Sequence, residues 1–238
     1  MARCAYRTRR DWALNWTRKR SANIRTGTYP PHGADRRGTP GAGQSSTIQL
    51  QRSQRSSAVS RPNPQLVMVR PHLDDLPPLQ VPEPYRIRSY QPDDEILWTK
   101  LVGVAMNSRW TVEACRENII SAPGFDPGGM FFAVAGEAVV GTATAFHEEK
   151  NPPERGTVHM VCVHPDHRGQ GLGYWLSLAV LHRFRERGLQ SVQLLTDDVR
   201  LPAIHIYLKL GFEPHMSHPS YPKRWEAIME TLRKTGFA

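Results

Sequence analysis

From residue 85 onward the apolar and polar positions fall into segments of definite period, whereas residues 1–67 show neither a 3.6 nor a 2.0 repeat. "YRIRSY" (85–90) alternates and predicts a strand. "DDEILWTKLVGVAM" (93–106) opens on acids suited to a helix N-terminus. It predicts a helix with Ile96, Leu97, Leu101 and Val104 on one side. "TVEACRENII" predicts a second, short helix and "PGFDPGG" a turn-rich break. "MFFAVAGEAVVGTATAFH" predicts a hairpin with Gly136 and Glu137 near its turn, and the Val-rich, alternating "GTVHMVCVH" predicts the next strand. The clearest helix is "LGYWLSLAVLHRFRERG": Leu172, Leu176, Val180 and Phe184 recur every fourth residue, and Gly188 stops it. "SVQLLTDD" predicts a strand. "LPAIHIYLKLGF" predicts a helix with Pro202 in its first turn and Gly211 at its end. "PKRWEAIMETLRK" predicts a last helix, after a loop holding His215, His218 and Tyr221. The fold class expected from this succession is α/β.

Composition changes the picture mainly at the front of the chain. Of 238 residues with a formal charge of +9, residues 1–67 hold 13 Lys and Arg against 2 acids, while the rest hold 18 against 20. The basic excess therefore belongs to the first quarter, and an argument for nucleic acid can rest only there. Rich in Arg, Ser, Gly and Pro, residues 1–67 are read as a disordered basic extension that cannot bury enough apolar surface to order itself. A translation start at Met68 is a second reading of the same shift in composition. Residues 68–84 are read as a Pro-rich linker and 85–238 as the folded domain. Three scattered cysteines, without CxxC pairing, argue against a disulfide framework and for a reducing compartment. No apolar run approaches the ~20 residues of a membrane span, and the first residues carry no apolar signal core. The expected location is cytoplasmic, with no membrane partner; the oligomeric state is open.

The candidate chemistry lies in "VCVHPDHRGQGLGYW" (161–175), a strand, a glycine-rich turn and a helix start. Glycine costs roughly 1 kcal/mol against alanine inside a helix. What offsets that cost is an anion site, because the first N–H groups of a helix have no internal partner and sit at its positive end. A Walker loop would need Lys-Ser/Thr after its last glycine, where Tyr174 and Trp175 stand. A dinucleotide fingerprint would need GxGxxG, where Gly169, Gly171 and Gly173 give GxGxG. A glycine turn with no ligand remains the alternative.

Arg168, Gly171 and Gly173 match the Q/R-x-x-G-x-G/A signature, and this region resembles the core of the GCN5-related N-acetyltransferase (GNAT) superfamily. "AIHIYLKLGF" is similar to that family's second signature, a helix with tyrosine followed by Gly-Phe. The resemblance covers roughly residues 85–213. It implies a mixed, largely antiparallel sheet flanked by helices, with acetyl-CoA as co-substrate and no metal. It also implies N-acyl transfer to an amine, small molecule or peptide, by direct attack. The family's signature strand splays from its neighbour to admit the pantetheine arm, which puts Val161, Cys162 and Val163 beside it. The diphosphate would lie on N–H groups from Arg168 through Gly169, Gln170, Gly171 and Leu172 to Gly173. Tyr207 matches the tyrosine that protonates the departing thiolate; a core tyrosine is the alternative. For the base, many relatives carry Glu where this chain has Thr157. His159 is the candidate here, and a buried hydrogen-bonded histidine is the alternative. Period two places His159 on the face of Val161 and Val163, with Cys162 on the other. His164 and His167 do not have metal-ligand spacing. Asp197 and Asp198 are read as caps of the next helix or as a lure for an ammonium. Arg200 stands where relatives carry Asn. Two closing strands usual after Gly-Phe are not legible here, so the acceptor side, to which His215, His218 and Trp225 are candidates, is expected to be built differently. A non-catalytic acyl-CoA sensor and a nucleic-acid binder acting through residues 1–67 are the rival functions.

Overall fold

The structure is a computed structural model and describes residues 63–236. The expectation of disorder for residues 1–62 lies outside the described residues. One seven-stranded sheet organises the unit that begins at Asn63. Its strands are β1 Leu66–Arg70, β2 Tyr85–Ser89, β3 Phe125–Ala135, β4 Ala138–Phe146, β5 Arg155–Val163, β6 Ser191–Thr196 and β7 Glu213–His215, in the order β2-β3-β4-β5-β6-β1-β7. Neighbours are antiparallel except β5 and β6, which run parallel. The helices are α1 Asp94–Met106, α2 Val112–Cys115 continuing as a π-turn over Arg116–Ile120, α3 Leu172–Glu186, α4 Leu201–Lys209 and α5 Tyr221–Lys234. A mixed, largely antiparallel sheet flanked by helices is thus observed.

The two faces of the sheet are covered by different helices. Trp98, Leu101 and Val102 of α1, with Cys115 and Ile119, pack on Met130, Phe132 and Cys162. On the other face α3 presses so closely that Gly141 faces Leu176 and Gly156 faces the ring of Phe184. A Cβ on Gly156 would stand 2.5 Å from that ring, and Phe184 is fully buried. Gly156→Ala is therefore expected to destabilise the domain by about 1–3 kcal/mol through overpacking, read from urea unfolding.

Three expectations are corrected. The stripe on α1 is Trp98, Leu101 and Val102, not Ile96, Leu97 and Val104, which stay exposed. Apolar residues occupy several sides of this helix, so composition alone does not choose the buried one, and Trp98 does. The "PGFDPGG" break is the irregular start of β3, whose register shifts between Phe125 and Met130. There Asp126 accepts from Gly128 N–H at 3.1 Å and from Arg183 of α3 at 2.8 and 3.1 Å. Last, the compact unit does not start at residue 85. Leu66 to Arg70, across the end of the expected extension and the start of the expected linker, form a strand paired on both edges, with β6 and with β7. Leu66 and Met68 are fully buried. One closing strand after Gly-Phe does form, although none is legible in the sequence: β7 pairs with β1. Only β7 follows Gly-Phe, and α5 then covers the sheet end, with Trp225 buried. The Tyr221 hydroxyl donates to Gln65 O, and Arg224 donates to Pro64 O at 2.8 Å.

Candidate active site

Parallel pairing of β5 with β6 covers only Arg155 to Thr157 against Ser191 to Gln193. Beyond Thr157 the two strands have no pairing, so the edge of β5 that faces β6 is open over residues 158–163. On its other edge β5 stays paired with β4 to Val163. The open edge leads into the short 3-10 turn Pro165–His167, then the glycine turn, then α3.

Backbone hydrogen bonding stops where a ligand could enter. Arg168 N–H donates to Pro165 O at 3.2 Å, and Tyr174 and Trp175 N–H donate to Gly171 O at 3.0 and 3.2 Å. Between them, the N–H groups of Gly169, Gln170, Gly171, Leu172 and Gly173 have no acceptor among the described residues. Gly169 and Gly171 hold φ of +80° and +74°, a region costly to residues with a Cβ. Gly173 serves differently: a Cβ there would lie 3.3 Å from Ile206 Cδ1, so its lack of one lets α4 lie against the start of α3. Arg168 is placed apart from its neighbours in the turn. Its N–H is engaged, and its guanidinium donates to Val163 O at 3.3 Å and to Ala105 O at 2.8 Å, tying the turn to the end of α1.

A β-bulge reshapes the strand beside this turn. Thr142 pairs with Cys162 and Thr144 with His159, so Met160 and Val161 together oppose Ala143; Met160 takes φ +51°. Thr142 and Thr144 are two apart and share a face, hence so do Cys162 and His159. The expected alternation, with His159 opposite in face to Cys162, is corrected for this reason, since period two holds only along an unbroken ladder. Val163, paired with Gly141, points to the other face. Burial pushes the Cys162 thiol up to about 12, so it is a protonated thiol at neutral pH.

His159 packs its ring against Phe146 at 5.6 Å between centroids. Its Nδ1 is buried without a partner, as are Thr144 Oγ1 and His147 Nε2. Burial lowers its pKa from 6.5; Glu148 opposes that shift and Lys150 adds to it. Thr157 supplies no carboxylate. Its hydroxyl accepts from Asn151 at 2.9 Å, and Asn151 accepts from Gln193 at 3.0 Å, a neutral chain joining β5 to β6 where their pairing ends.

Tyr207 comes from α4, one residue after the Ile206 that touches Gly173. It is nearly buried, packs edge-on to Phe212 at 5.9 Å, and burial pushes its pKa up to about 12. Arg200 opposes the upward shift at both Tyr207 and Cys162, so one cation acts electrostatically on the phenol and on the thiol of the bulged strand. Asp197 and Asp198 do not cap α4: no side chain caps it. Asp197 pairs with Arg200 at 2.9 Å, and Asp198 holds Arg224 at 2.7 Å. His167 lies 3.1 Å from the Tyr85 hydroxyl, and His164 accepts from Asp166 N–H at 3.4 Å. His215 and His218 are exposed, outside this group of residues. The bulge at Met160 has no signal in the sequence. Glu148 did have one, an acidic run "HEEK" directly after a strand.

The family model described as "Acetyltransferase (GNAT) family" matches residues 95–212, which span the splayed strands, the glycine turn and the tyrosine helix. Residues 95–212 form a GNAT-family domain. It is 38% identical over 155 residues to a mycothiol acetyltransferase of Thermomonospora curvata, covering 62% of this chain and 50% of that protein. To that of Thermobispora bispora it is 36% identical over 154 residues, covering 61% and 52%. The chain thus spans about half the length of these relatives. A GCN5-related N-acetyltransferase from Sphaerobacter thermophilus superposes with a TM-score of 0.54 at 25% identity, covering 64% of this chain and 50% of that one. No described helix is long and apolar enough to cross a membrane.

Proposed function

We propose that this GNAT domain transfers the acetyl group of acetyl-CoA to the amine of a small molecule. The observation that carries the reading is the open edge of β5 leading, through a short turn, to five N–H groups at the start of α3 that have no partner among the described residues. An extended amide-bearing arm can lie along such an edge as an added strand. A diphosphate suits the N–H groups of residues 169–173. Val161, Cys162 and Val163 border the arm, and Arg168 supports the turn through its ties to Val163 and Ala105. The names of the relatives make a mycothiol-related amine the first acceptor to test. We take residues 63–236 as the acting domain, in a cytoplasmic, reducing setting that suits the free, buried Cys115 and Cys162.

In this mechanism His159 takes the proton of the acceptor ammonium, directly or through water. The freed lone pair attacks the thioester carbonyl, the C–N bond forms, and the carbonyl electrons move to oxygen. Their return breaks the C–S bond, and Tyr207 gives its proton to the departing thiolate. The amide nitrogen loses its second proton, Tyr207 regains one, and one proton is released overall. The test is acetyl-CoA with pooled primary amines, read by product mass and thiol release. An acetylated amine supports the reading. Acetyl-CoA raising the Tm with no amine turned over favours an acyl-CoA sensor instead.

A pH dependence arises from His159. Burial favours the neutral imidazole, so the base is available at pH 7 and kcat/KM falls only as pH drops below about 6.5 toward the depressed value. Stability has the same sign. The unfolded chain binds this proton more readily, so the contribution is present above about 6.5 and is lost below it. Comparing wild type with His159→Gln in pH-rate and pH-melting profiles checks both.

A further inference from the structure

A second groove opens at the end of β5 away from the glycine turn. It is lined by Ala122, Pro123 and Gly124 on one side and by Phe146, His147, Glu148 and Lys150 on the other. Phe146 is the residue whose ring packs on His159, so one ring separates the groove from the candidate base. An arm with its diphosphate at residues 169–173 reaches this region from the opposite direction. A second substrate therefore has this end left to enter by.

The polar groups of the groove suit a cation. Glu148 keeps its side chain at 17% exposure and forms an ion pair with Lys150, whose own side chain is 74% exposed. Lys150 comes from the same loop, two residues on, and is free to leave into water. Three polar atoms at this end of the β4–β5 pair lack partners among the described residues: His147 Nε2, next in sequence to Glu148, and His159 Nδ1 and Thr144 Oγ1, whose residues pair across the strands. Buried polar atoms without partners are uncommon in folded proteins and point to a ligand or water that completes them.

We propose that Glu148 is the carboxylate that receives the acceptor's ammonium group, and that Lys150 occupies this position until the acceptor displaces it. The inference rests on the acetyl-transfer reading for the chemistry after binding, but not for binding itself. Its substrate class is a primary amine that arrives protonated, carrying a flat or apolar portion against Phe146. Thr157 supplies no carboxylate at this end of β5, whereas the loop between β4 and β5 does, through Glu148. Glu148 also steadies the imidazolium that forms when His159 accepts the proton, with Lys150 opposing it. Glu148 is thus a binding residue for the acceptor and a positioning residue for the base.

The test separates binding from turnover. Benzylamine, which is charged at neutral pH, and benzyl alcohol, its uncharged counterpart, are titrated by NMR into the full chain saturated with CoA. Benzylamine is expected to bind at least tenfold more tightly than the alcohol. Glu148→Gln removes that preference by about tenfold, Glu148→Asp restores part of it, and Lys150→Met tightens benzylamine severalfold. With an acceptor from the amine screen, Glu148→Gln raises the acceptor KM, leaves the KM for acetyl-CoA unchanged, and moves the His159 limb of kcat/KM to lower pH. Equal affinity for the two probes, or benzylamine binding indifferent to both Glu148→Gln and Lys150→Met, overturns the proposal. Glu148-dependent binding without any turnover would sustain it while removing the acetyl-transfer reading.

Discussion

Replacing Tyr207 by phenylalanine is expected to lower kcat by about 10²- to 10⁴-fold, the range for removal of a general acid, with the affinity for CoA nearly unchanged. The side chain is nearly buried on α4, edge-on to Phe212, and burial pushes its pKa up to about 12. At neutral pH it therefore holds its proton, which is the state a donor to a thiolate requires. Phenylalanine keeps the ring and its contact with Phe212, so stability should change little, and the lost hydroxyl is isolated as the cause. Steady-state kinetics beside a CoA titration reads both quantities. A core tyrosine without a chemical role would instead leave kcat intact, and unchanged turnover would return Tyr207 to that reading.

Deleting β1 is expected to abolish the folded domain. A chain beginning at residue 71 loses the strand that stands between β6 and β7, so β7 loses its partner and β6 gains a bare edge. Leu66 and Met68 are fully buried, each contributing about 1.5–3 kcal/mol. Arg70 goes with them, and its guanidinium donates to His72 O at 2.8 Å, Asp74 O at 2.9 Å and Leu210 O, joining the strand to the end of α4. Domains of this size are commonly stable by only about 5–15 kcal/mol, so these losses reach the whole of it. The exposed edge of β6 would also invite association. A chain beginning at residue 63 should melt cooperatively and run as a defined species on size exclusion. The chain beginning at 71 should aggregate or lack a melting transition. A start at Met68, which removes Leu66 and Val67 and their pairing with Thr196 and Leu195, should fall between the two.

The contrast between what sequence pattern reveals and what it hides is physical. Helices α3 and α4 are legible because one apolar period runs through each and Gly188 and Gly211 mark their ends; strands β2, β4 and β6 are legible as short alternating or apolar runs. The glycine turn was legible because the cost of glycine at a helix start demands an explanation. β1 was hidden by its setting. Five residues between a polar stretch and a Pro-rich one carry too short a pattern to stand out, and their partners lie about 125 to 150 residues further on. Alternation assigns the wrong faces along β5 because it assumes an unbroken ladder, and the ladder with β4 is broken by the bulge at Met160 and Val161. Asp197 and Asp198 look like caps by position. In the fold Arg200 and Arg224 are near enough to take both carboxylates, and an ion pair with a planar guanidinium displaces the weaker local bond. The electrostatic effect of Glu148 on His159 is likewise invisible in the sequence, since it arises from the pairing of β4 with β5.

Amide hydrogen exchange with and without acetyl-CoA tests the central claim most directly. The account predicts slowed exchange concentrated in two stretches, residues 158–163 along the open edge of β5 and residues 169–173 at the start of α3. Acetyl-CoA that protects neither stretch, or protects some other part of the domain in their place, would contradict it.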